Sequence, residues 1–318
     1  RRWRDRRAAP GCSLTEPEVD VIEPLSETTL HGPAERAVTV VVPAFNEAAH
    51  VAEGLRDLQA AMEATGWQWE ILLVDDGSTD GTAEAAETTG VRVLRRERNR
   101  GYGASLKAGV RAARHPWILI TDADGTYPVE AIPALLAASE GRDMVVGART
   151  GASVQIPLVR RPAKAFLRWL ASYLAEERLP DLNSGLRLMH RALIGRYERL
   201  LPDGFSFTTT ITLAAACNGH PVAWVPIDYH PRLGESKIRP RHAFDFLLLI
   251  LRTIVFFNPL KVFLPFGGLL ALAGLAKFAY DVTRDNLSES AVLALLGALI
   301  VWAVGLLADQ NARMSGSR

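Results

Sequence analysis

The stretch Ile118-Leu-Ile-Thr-Asp122-Ala-Asp124-Gly-Thr-Tyr127-Pro128 places two carboxylates directly after an apolar segment. The run from 117 to 120 is typical of a buried strand, and the glycine and proline that follow end it. Two carboxylates this close repel each other unless a cation or a proton lies between them. A hard divalent cation that bridges to phosphate oxygens is the natural occupant. The same residues also suit a simple turn in which aspartate caps the backbone, so the stretch predicts either a metal site or a capped turn.

Apolar strands alternate with amphipathic helices through the first half of the chain. Strands are predicted at residues 37–42, 70–74, 91–94, 117–120 and 144–147. Helices are predicted between them, at residues 47–65, 104–113 and 132–139. This alternation favours an α/β fold with a doubly wound, mostly parallel sheet.

Polar side chains follow three of these strands. They are Asn46 and Glu47, Asp75 and Asp76, and Asp122 and Asp124. Open α/β sheets bind ligands outside the carboxyl ends of their strands. We therefore expect the six side chains to share one edge of the sheet and to form a site there.

The remaining soluble part is less regular. Residues 1–36 have a basic start and no periodicity, which predicts a flexible tail, and residues 37–241 are assigned to the catalytic domain. Later in the domain we predict a helical stretch over residues 154–179, a helix ending near 218 and a strand over 222–227. The two cysteines, Cys12 and Cys217, supply neither a disulfide framework nor a CxxC metal site. A net charge of +1 gives no reason to expect nucleic-acid binding.

The C-terminal quarter predicts membrane association. Residues 242–258 form an apolar segment interrupted by charges, which fits an interfacial amphipathic helix. Residues 259–318 contain two apolar segments of near-spanning length, 262–282 and 291–307, although a buried hairpin of a soluble protein would also fit. Basic residues precede the first span, so the catalytic domain and the short C-terminal tail are expected on the cytoplasmic face.

The motifs, taken in order, resemble glycosyltransferase family two. They look most like its polyprenyl-phosphate sugar synthases, such as dolichol-phosphate mannose synthase. The motifs are Val42-Pro43-Ala-Phe45-Asn46-Glu47, Val74-Asp75-Asp76-Gly77-Ser78-Thr79-Asp80-Gly81-Thr82, Asn99-Arg100-Gly101-Tyr-Gly103, Asp122-Ala-Asp124, Gly147-Ala-Arg149, Asn183-Ser184-Gly185-Leu-Arg187 and Arg232-Leu-Gly234-Glu-Ser236-Lys237.

The resemblance implies a GT-A fold, an inverting mechanism and Mg²⁺ or Mn²⁺ as cofactor. It implies a nucleotide-sugar donor, GDP-mannose or UDP-glucose, and a polyprenyl or dolichyl phosphate as acceptor. Matching donor-binding residues are Pro43, Phe45, Glu47, Asp75, Asp76 and Asp122, and the metal ligands are Asp122 and Asp124. Matching catalytic residues are Asp124, Arg149 and Arg187. The residues that match the acceptor-phosphate site are Ser184, Arg232, Ser236 and Lys237. The family often has Gln as a further ligand where this chain has Thr126.

Several alternatives stay open at this point. A processive polysaccharide synthase usually has a Gln-x-x-Arg-Trp motif and more spans, whereas here Ala165 stands in the place of that Gln. A non-catalytic, nucleotide-sugar-binding scaffold would keep the same pocket without turnover. Arg149 and Arg187 could pair with acids, and the basic loop at 232–241 could bind anionic lipid headgroups. Hydroxyls at 206 and 208–210, where relatives acting on sugar hydroxyls are expected to place an acid, favour a phosphate acceptor. A homo-oligomer could form through Gly267, Gly268 and Gly274.

Overall fold

The structure is a computed structural model. It describes residues 36–150, 169–173, 175–204, 206–229, 248, 251–252, 255–256, 258–284 and 288–314. The predicted tail before residue 36, most of the predicted interfacial helix at 242–258 and the first part of the 154–179 helical stretch lie outside these residues. So do three of the predicted acceptor residues, Arg232, Ser236 and Lys237.

Seven strands form one sheet in the order β3-β2-β1-β4-β6-β5-β7. The strands are β1 (Ala37–Ala44), β2 (Gln68–Asp75), β3 (Arg92–Arg95), β4 (Trp117–Ile120), β5 (Met144–Arg149), β6 (Arg187–His190) and β7 (Val222–Ile227). The pairs β1–β2, β1–β4, β2–β3 and β5–β7 are parallel, which confirms the mostly parallel sheet. β6 was not predicted, and it runs antiparallel to both β4 and β5.

Helices cover both faces of the sheet. They are α1 (Val51–Glu63), α2 (Thr82–Glu87), α3 (Tyr102–Ala112), α4 (Ile132–Ala137), α5 (Arg191–Tyr197) and α6 (Phe207–Cys217). Val40 and Val42 of β1 belong to a core that includes α1, whereas Val41 packs on the opposite face in a core that includes α3 and α6. Because β1 is buried on both faces, its sequence is an unbroken apolar run rather than an alternating one.

Two long C-terminal helices form a hairpin, α7 (Leu260–Val282) and α8 (Glu289–Met314). Their apolar segments, Leu260–Val282 and Glu289–Ala312, have mean hydropathies of 1.8 and 2.6, and most of their side chains are uncovered. A hairpin in the core of a soluble protein would have those side chains buried. Both helices are long and apolar enough to cross a membrane.

Glycines let the two long helices approach each other. A Cβ at Gly267 would overlap the Trp302 indole, and one at Gly274 would lie 3.0 Å from Leu295. The Trp302 indole N–H also donates to Leu264 O at 3.2 Å. Two of the three glycines predicted at an oligomer contact are therefore used within the hairpin, whereas Gly268 has open space beside it.

The base of the hairpin contacts the catalytic domain. Lys261 Nζ lies 2.7 Å from Glu176 Oε1. Val262 packs beside it against a small apolar cluster that includes Ala171 and Leu213 of the domain. The start of the first long helix is thus tied to the domain by an ion pair and by apolar packing.

Substitutions at the neighbouring glycines test this packing. We expect Gly267→Ala to lower the free energy of unfolding by about 1–3 kcal/mol, because the new methyl overlaps a ring that cannot move aside easily. Gly268→Ala adds the same methyl into open space and should leave the free energy of unfolding unchanged or raise it by up to about 1 kcal/mol, because alanine is the better helix former. Titration with dodecyl sulfate in detergent micelles, followed by tryptophan fluorescence, measures both variants. Equal effects would contradict the glycine contact.

Candidate active site

The loops after β1 and β2 are joined by hydrogen bonds at one edge of the sheet. Asn46 N donates to Ser78 Oγ at 2.9 Å, and Thr79 N donates back to Asn46 Oδ1 at 3.0 Å. Asn46 adopts a left-handed backbone conformation (φ 57°), which asparagine tolerates better than most residues. Since β4 lies beside β1 in parallel register, Asp122 and Asp124 emerge at the same edge. The structure therefore brings together the polar strand ends that the sequence predicts.

The predicted donor residues of β1 lie along an open rim. Pro43, Phe45 and Glu47 are all half-buried. Glu47 N donates to Thr82 Oγ1 at 2.9 Å, which holds the loop against the start of α2. Their side chains are accessible to a ligand, and their role toward the donor stays a prediction.

Asp75 and Asp76 at the end of β2 are both buried. Asp75 Oδ1 accepts a hydrogen bond from Ser78 N at 3.1 Å. The Asp76 carboxylate accepts from Arg100 N at 3.1 Å and Gly101 N at 2.7 Å, and it lies 3.2 Å from Arg96 Nη1. Asp76 therefore holds the loop before α3, and these contacts occupy the carboxylate that the sequence assigns to the donor.

The two candidate metal ligands follow β4 and are half-buried. Asp124 Oδ1 accepts from Thr126 N at 3.2 Å and from Thr126 Oγ1 at 2.6 Å. Asp124 thus caps the backbone N–H and hydroxyl of Thr126, which stands where the resemblance would place a further Gln ligand. Burial, reinforced by the charge of Asp122, raises the pKa of Tyr102 well above its ordinary value, so the tyrosine hydroxyl keeps its proton.

These donors fit a small divalent ion. Among the residues the structure describes, no group of three or more His, Cys, Asp or Glu side chains is placed to hold a metal. Asp122 and Asp124 would supply hard oxygen ligands, with the remaining positions left to water and to phosphate oxygens. Mg²⁺ commonly binds in this way, through one or two carboxylates together with substrate phosphates.

Arg149 forms a bidentate ion pair with Asp181. Nε lies 2.7 Å from Oδ2 and Nη2 lies 2.9 Å from Oδ1. The guanidinium also lies 5.3 Å from the ring centre of Tyr229. Burial raises the pKa of Asp181, but the hydrogen bonds and charge of Arg149 outweigh it and hold the pKa at about 2. Arg149 is thus paired with an acid, and its predicted role toward phosphate stays a prediction.

Arg187 is fully buried at the start of β6. Its guanidinium donates to Ser184 O at 3.0 Å, to Thr208 O at 3.0 Å and to Thr212 Oγ1 at 2.9 Å. Burial lowers its pKa to about 10. The side chain ties β6 to α6, and direct contact with a donor diphosphate would require these bonds to break. Ser184 is also buried, and its hydroxyl finds no hydrogen-bond partner within the described residues.

Tyrosines missed by the sequence reasoning complete the cluster. The Tyr127 hydroxyl accepts a hydrogen bond from Gly185 N at 2.6 Å. Tyr127 also packs edge-on against Tyr229, with ring centres 5.3 Å apart. Tyr229 is the last described residue before the predicted acceptor loop. Asp181 was missed as well, although it precedes the Asn183-Ser184 motif by two residues.

Comparison with known proteins identifies the family and the fold of this chain. The model of glycosyl transferase family 2 matches residues 39–197, and a GtrB C-terminal hairpin matches residues 258–314. A dolichyl-phosphate hexose transferase from Haloferax volcanii is 33% identical over 64% of this chain and 87% of its own length. An undecaprenyl-phosphate 4-deoxy-4-formamido-L-arabinose transferase from Klebsiella pneumoniae is 32% identical over 77% of this chain and 75% of its own length.

A solved structure is similar in fold. It is glucosyl-3-phosphoglycerate synthase from Mycobacterium tuberculosis, in complex with Mn²⁺, UDP-glucose and phosphoglyceric acid. The match has a TM-score of 0.54 and 21% identity, and it covers 69% of this chain and 80% of that one. At this identity the similarity establishes the fold alone.

The Arg149–Asp181 pair can be tested through stability. We expect Asp181→Asn to lower the free energy of unfolding at neutral pH by about 3–5 kcal/mol, because it leaves a largely buried guanidinium without its anion. Asp203→Asn, which breaks an ion pair between Lys107 and a mostly exposed carboxylate, should cost less than about 1 kcal/mol. Thermal unfolding in detergent distinguishes the two.

The same pair predicts a pH dependence. The folded pKa of Asp181 is lowered to about 2, so its stabilisation is present above the unfolded pKa of about 3.9 and is lost as pH falls through the folded value. The loss is on the order of 2 kcal/mol. The difference in unfolding temperature between wild type and Asp181→Asn should therefore shrink from pH 5 to pH 3. A constant difference would contradict the assignment.

Proposed function

The chain belongs to glycosyl transferase family 2, and we propose that it transfers a hexose from a nucleotide sugar to a polyprenyl or dolichyl phosphate. It is a glycosyltransferase with a GT-A catalytic domain. The observation that carries the proposal is the combination in one chain of this domain with a GtrB-type hairpin. Relatives whose names specify lipid-phosphate acceptors match across much of the chain. The tie between Lys261 and Glu176 keeps the hairpin against the domain that holds the site.

The acceptor chemistry follows from its charge. An ionised phosphate oxygen attacks the anomeric carbon, the new carbon–oxygen bond forms with inversion, and the bond to the donor diphosphate breaks. The nucleoside diphosphate leaves with the bonding electrons. An ionised phosphate needs no general base, unlike an alcohol. Consistent with this, Thr208, Thr209 and Thr210 at the start of α6 are buried hydroxyls.

We assign the divalent ion to Asp122 and Asp124. When bound, Mg²⁺ or Mn²⁺ would neutralise the charge that develops on the leaving diphosphate. Pro43, Phe45 and Glu47 line the rim where the nucleotide would lie, with Asp75 beside it. Asp76, in this proposal, acts by holding the loop before α3 in place.

The acceptor phosphate is assigned to Ser184, Arg232, Ser236 and Lys237. Arginine can bind phosphate in a bidentate manner and lysine supplies a point charge. Arg149 and Arg187 hold the backbone around Ser184 in place. Arg149 binds Asp181, whose Oδ1 also accepts a hydrogen bond from Asn183 N at 3.0 Å. Arg187 fixes the Ser184 carbonyl.

The orientation in the membrane follows from charge. Arg252 and Lys261 precede or begin the first span, and the basic loop lies shortly before them. Positive residues are retained on the cytoplasmic side. We therefore place the catalytic domain and the C-terminal tail on that face, where nucleotide sugars are available to it.

A transfer assay tests donor, acceptor and metal together. The purified chain in detergent receives a polyprenyl phosphate, Mn²⁺ or Mg²⁺ and one radiolabelled donor at a time: GDP-mannose, UDP-glucose or a nucleotide-activated 4-deoxy-4-formamido-L-arabinose. We expect label from a hexose donor to enter the lipid phase, and Asp124→Ala to reduce the rate by about 100-fold or more through lost charge stabilisation. Transfer of the arabinose alone would overturn the hexose assignment. No transfer from any donor would overturn the acceptor.

Lys237 distinguishes a specific phosphate site from a general basic patch. We expect Lys237→Ala to reduce kcat at least about 10-fold, because a positive charge beside the reacting phosphate is lost. Arg239→Ala, in the same loop, should have a much smaller effect. If the loop instead binds lipid headgroups, the activity of both variants, measured in nanodiscs of varied anionic-lipid content, should lose its dependence on anionic lipid to the same extent. That outcome would contradict the specific site.

A further inference from the structure

The short segment that carries Trp169 and Tyr173 is helical over residues 169–173 and 175, and we call it the aromatic segment. The two aromatic residues are four positions apart, which places them on the same face of a helix. Their rings are stacked, with centres 5.8 Å apart and planes inclined by 15°. Trp169 is 59% exposed and Tyr173 is 55% exposed. The aromatic segment therefore presents two adjoining rings to its surroundings.

This exposure is exceptional within the catalytic domain. Among the residues that the structure describes, the exposed large apolar side chains fall into two groups. One group is this pair, and the other lies in the C-terminal part of the chain, from Leu248 to Met314. Single apolar residues are ordinary on a protein surface, whereas adjoining ones indicate a contact surface. The pair therefore marks the place where the described domain meets an apolar partner.

The other side of the aromatic segment packs against the domain and the hairpin. Ala171 is fully buried in an apolar cluster of the domain, and Val262 of α7 packs against the same cluster. Three residues after Tyr173, Glu176 Oε1 lies 2.7 Å from Lys261 Nζ. Both contacts are made to the first turn of α7. The exposed rings therefore lie beside the start of the first apolar span.

We propose that Trp169 and Tyr173 insert into the headgroup region of the bilayer beside the hairpin. The proposal rests on the membrane placement of the hairpin proposed above. Tryptophan and tyrosine are enriched where a membrane meets water, because each has an apolar ring and a polar tip. In that layer the indole N–H and the phenol hydroxyl bond to headgroup and water oxygens, while the rings are removed from water. A bilayer that receives α7 covers the neighbouring rings at the same time.

The aromatic segment is also connected to the candidate active site. Leu179 N donates to Ser172 Oγ at 3.1 Å, which closes the turn that follows the segment. Two residues further along, Asp181 binds Arg149, the last residue of β5. Rings anchored among the headgroups therefore hold the site edge of the sheet close to the membrane surface, where the phosphate of a lipid acceptor lies. The pair is a positioning surface and takes no part in the chemistry.

Fluorescence quenching by spin-labelled lipids tests the contact. The full chain is reconstituted in nanodiscs that hold a single copy, with the nitroxide either on the headgroup or deep in the acyl chain. The signal of one tryptophan is the difference between the wild type and its phenylalanine variant. We expect the headgroup label to quench the Trp169 signal at least about 2-fold more than the deep label does. The matched control is Trp67, a half-buried indole just before β2 at the opposite edge of the sheet, which neither label should quench.

Trp302 distinguishes this proposal from the membrane placement itself. Its indole packs against Gly267, about 10 Å along α7 from the start of that helix, so the deep label should quench it. Quenching of Trp302 without quenching of Trp169 by either label would overturn the role of the pair and leave the hairpin in the membrane. Absence of quenching at both tryptophans would overturn the membrane placement and the role of the pair with it.

A kinetic measurement tests the positioning role. In nanodiscs we expect the double variant Trp169→Ser/Tyr173→Ser to lower kcat/KM for a long-chain polyprenyl phosphate by about 10-fold, which corresponds to the loss of about 1.4 kcal/mol of contact with the lipid. With a short, water-soluble prenyl phosphate, the same variant should change kcat/KM by less than about 2-fold, because that acceptor reaches the site without the bilayer. An equal loss with both acceptors, or no loss with either, would contradict the positioning role.

Discussion

Parallel hydrogen bonding of β1 to both β2 and β4 is the constraint on which the site depends. Because parallel strands end at the same edge, the loops that carry Asn46, Asp76 and Asp122 are brought together by backbone pairing alone. The side-chain contacts between loops refine a position that the sheet has already imposed. Loss of any one of those contacts would loosen a loop, whereas loss of the pairing would separate the site into unrelated pieces.

Charged side chains near the site mostly hold backbone in place. Asp76 accepts from two main-chain N–H groups, Asp181 binds Arg149 and Asn183 N, and Arg187 donates to two carbonyls. Burying such groups is costly unless their hydrogen bonds are satisfied. Once satisfied, they fix loop geometry more tightly than apolar contacts can, because each bond has a preferred distance and direction. A transferase that must hold a reactive donor in line with its acceptor benefits from loops fixed in this way.

The sequence predicts the elements whose burial is simple and misses those whose role depends on distant partners. β1, β2 and β4 are largely apolar on both faces, and the two long helices are apolar over most of their length, so pattern alone locates them. β6 is only Arg-Leu-Met-His, and it is a strand because β4 and β5 lie on either side of it. Nor does the sequence reveal the burial of Arg187, since arginine is usually exposed and two of its acceptors lie 21 and 25 residues further along the chain.

The position of β5 has a consequence for chain synthesis. β5 pairs with β6 and β7, with Met144 opposite both Met189 and Val222, and not with the earlier strands. As the chain leaves the ribosome, β1 to β4 can assemble in turn, but β5 must wait for segments made much later. β7, which completes the sheet, ends at Ile227, and the first apolar helix of the hairpin is the next long element, beginning at Leu260. Completion of the catalytic domain and delivery of that helix to the membrane are therefore neighbouring events in time. If completion of the sheet is delayed, unpaired strand edges are still exposed while the helix is delivered to the membrane.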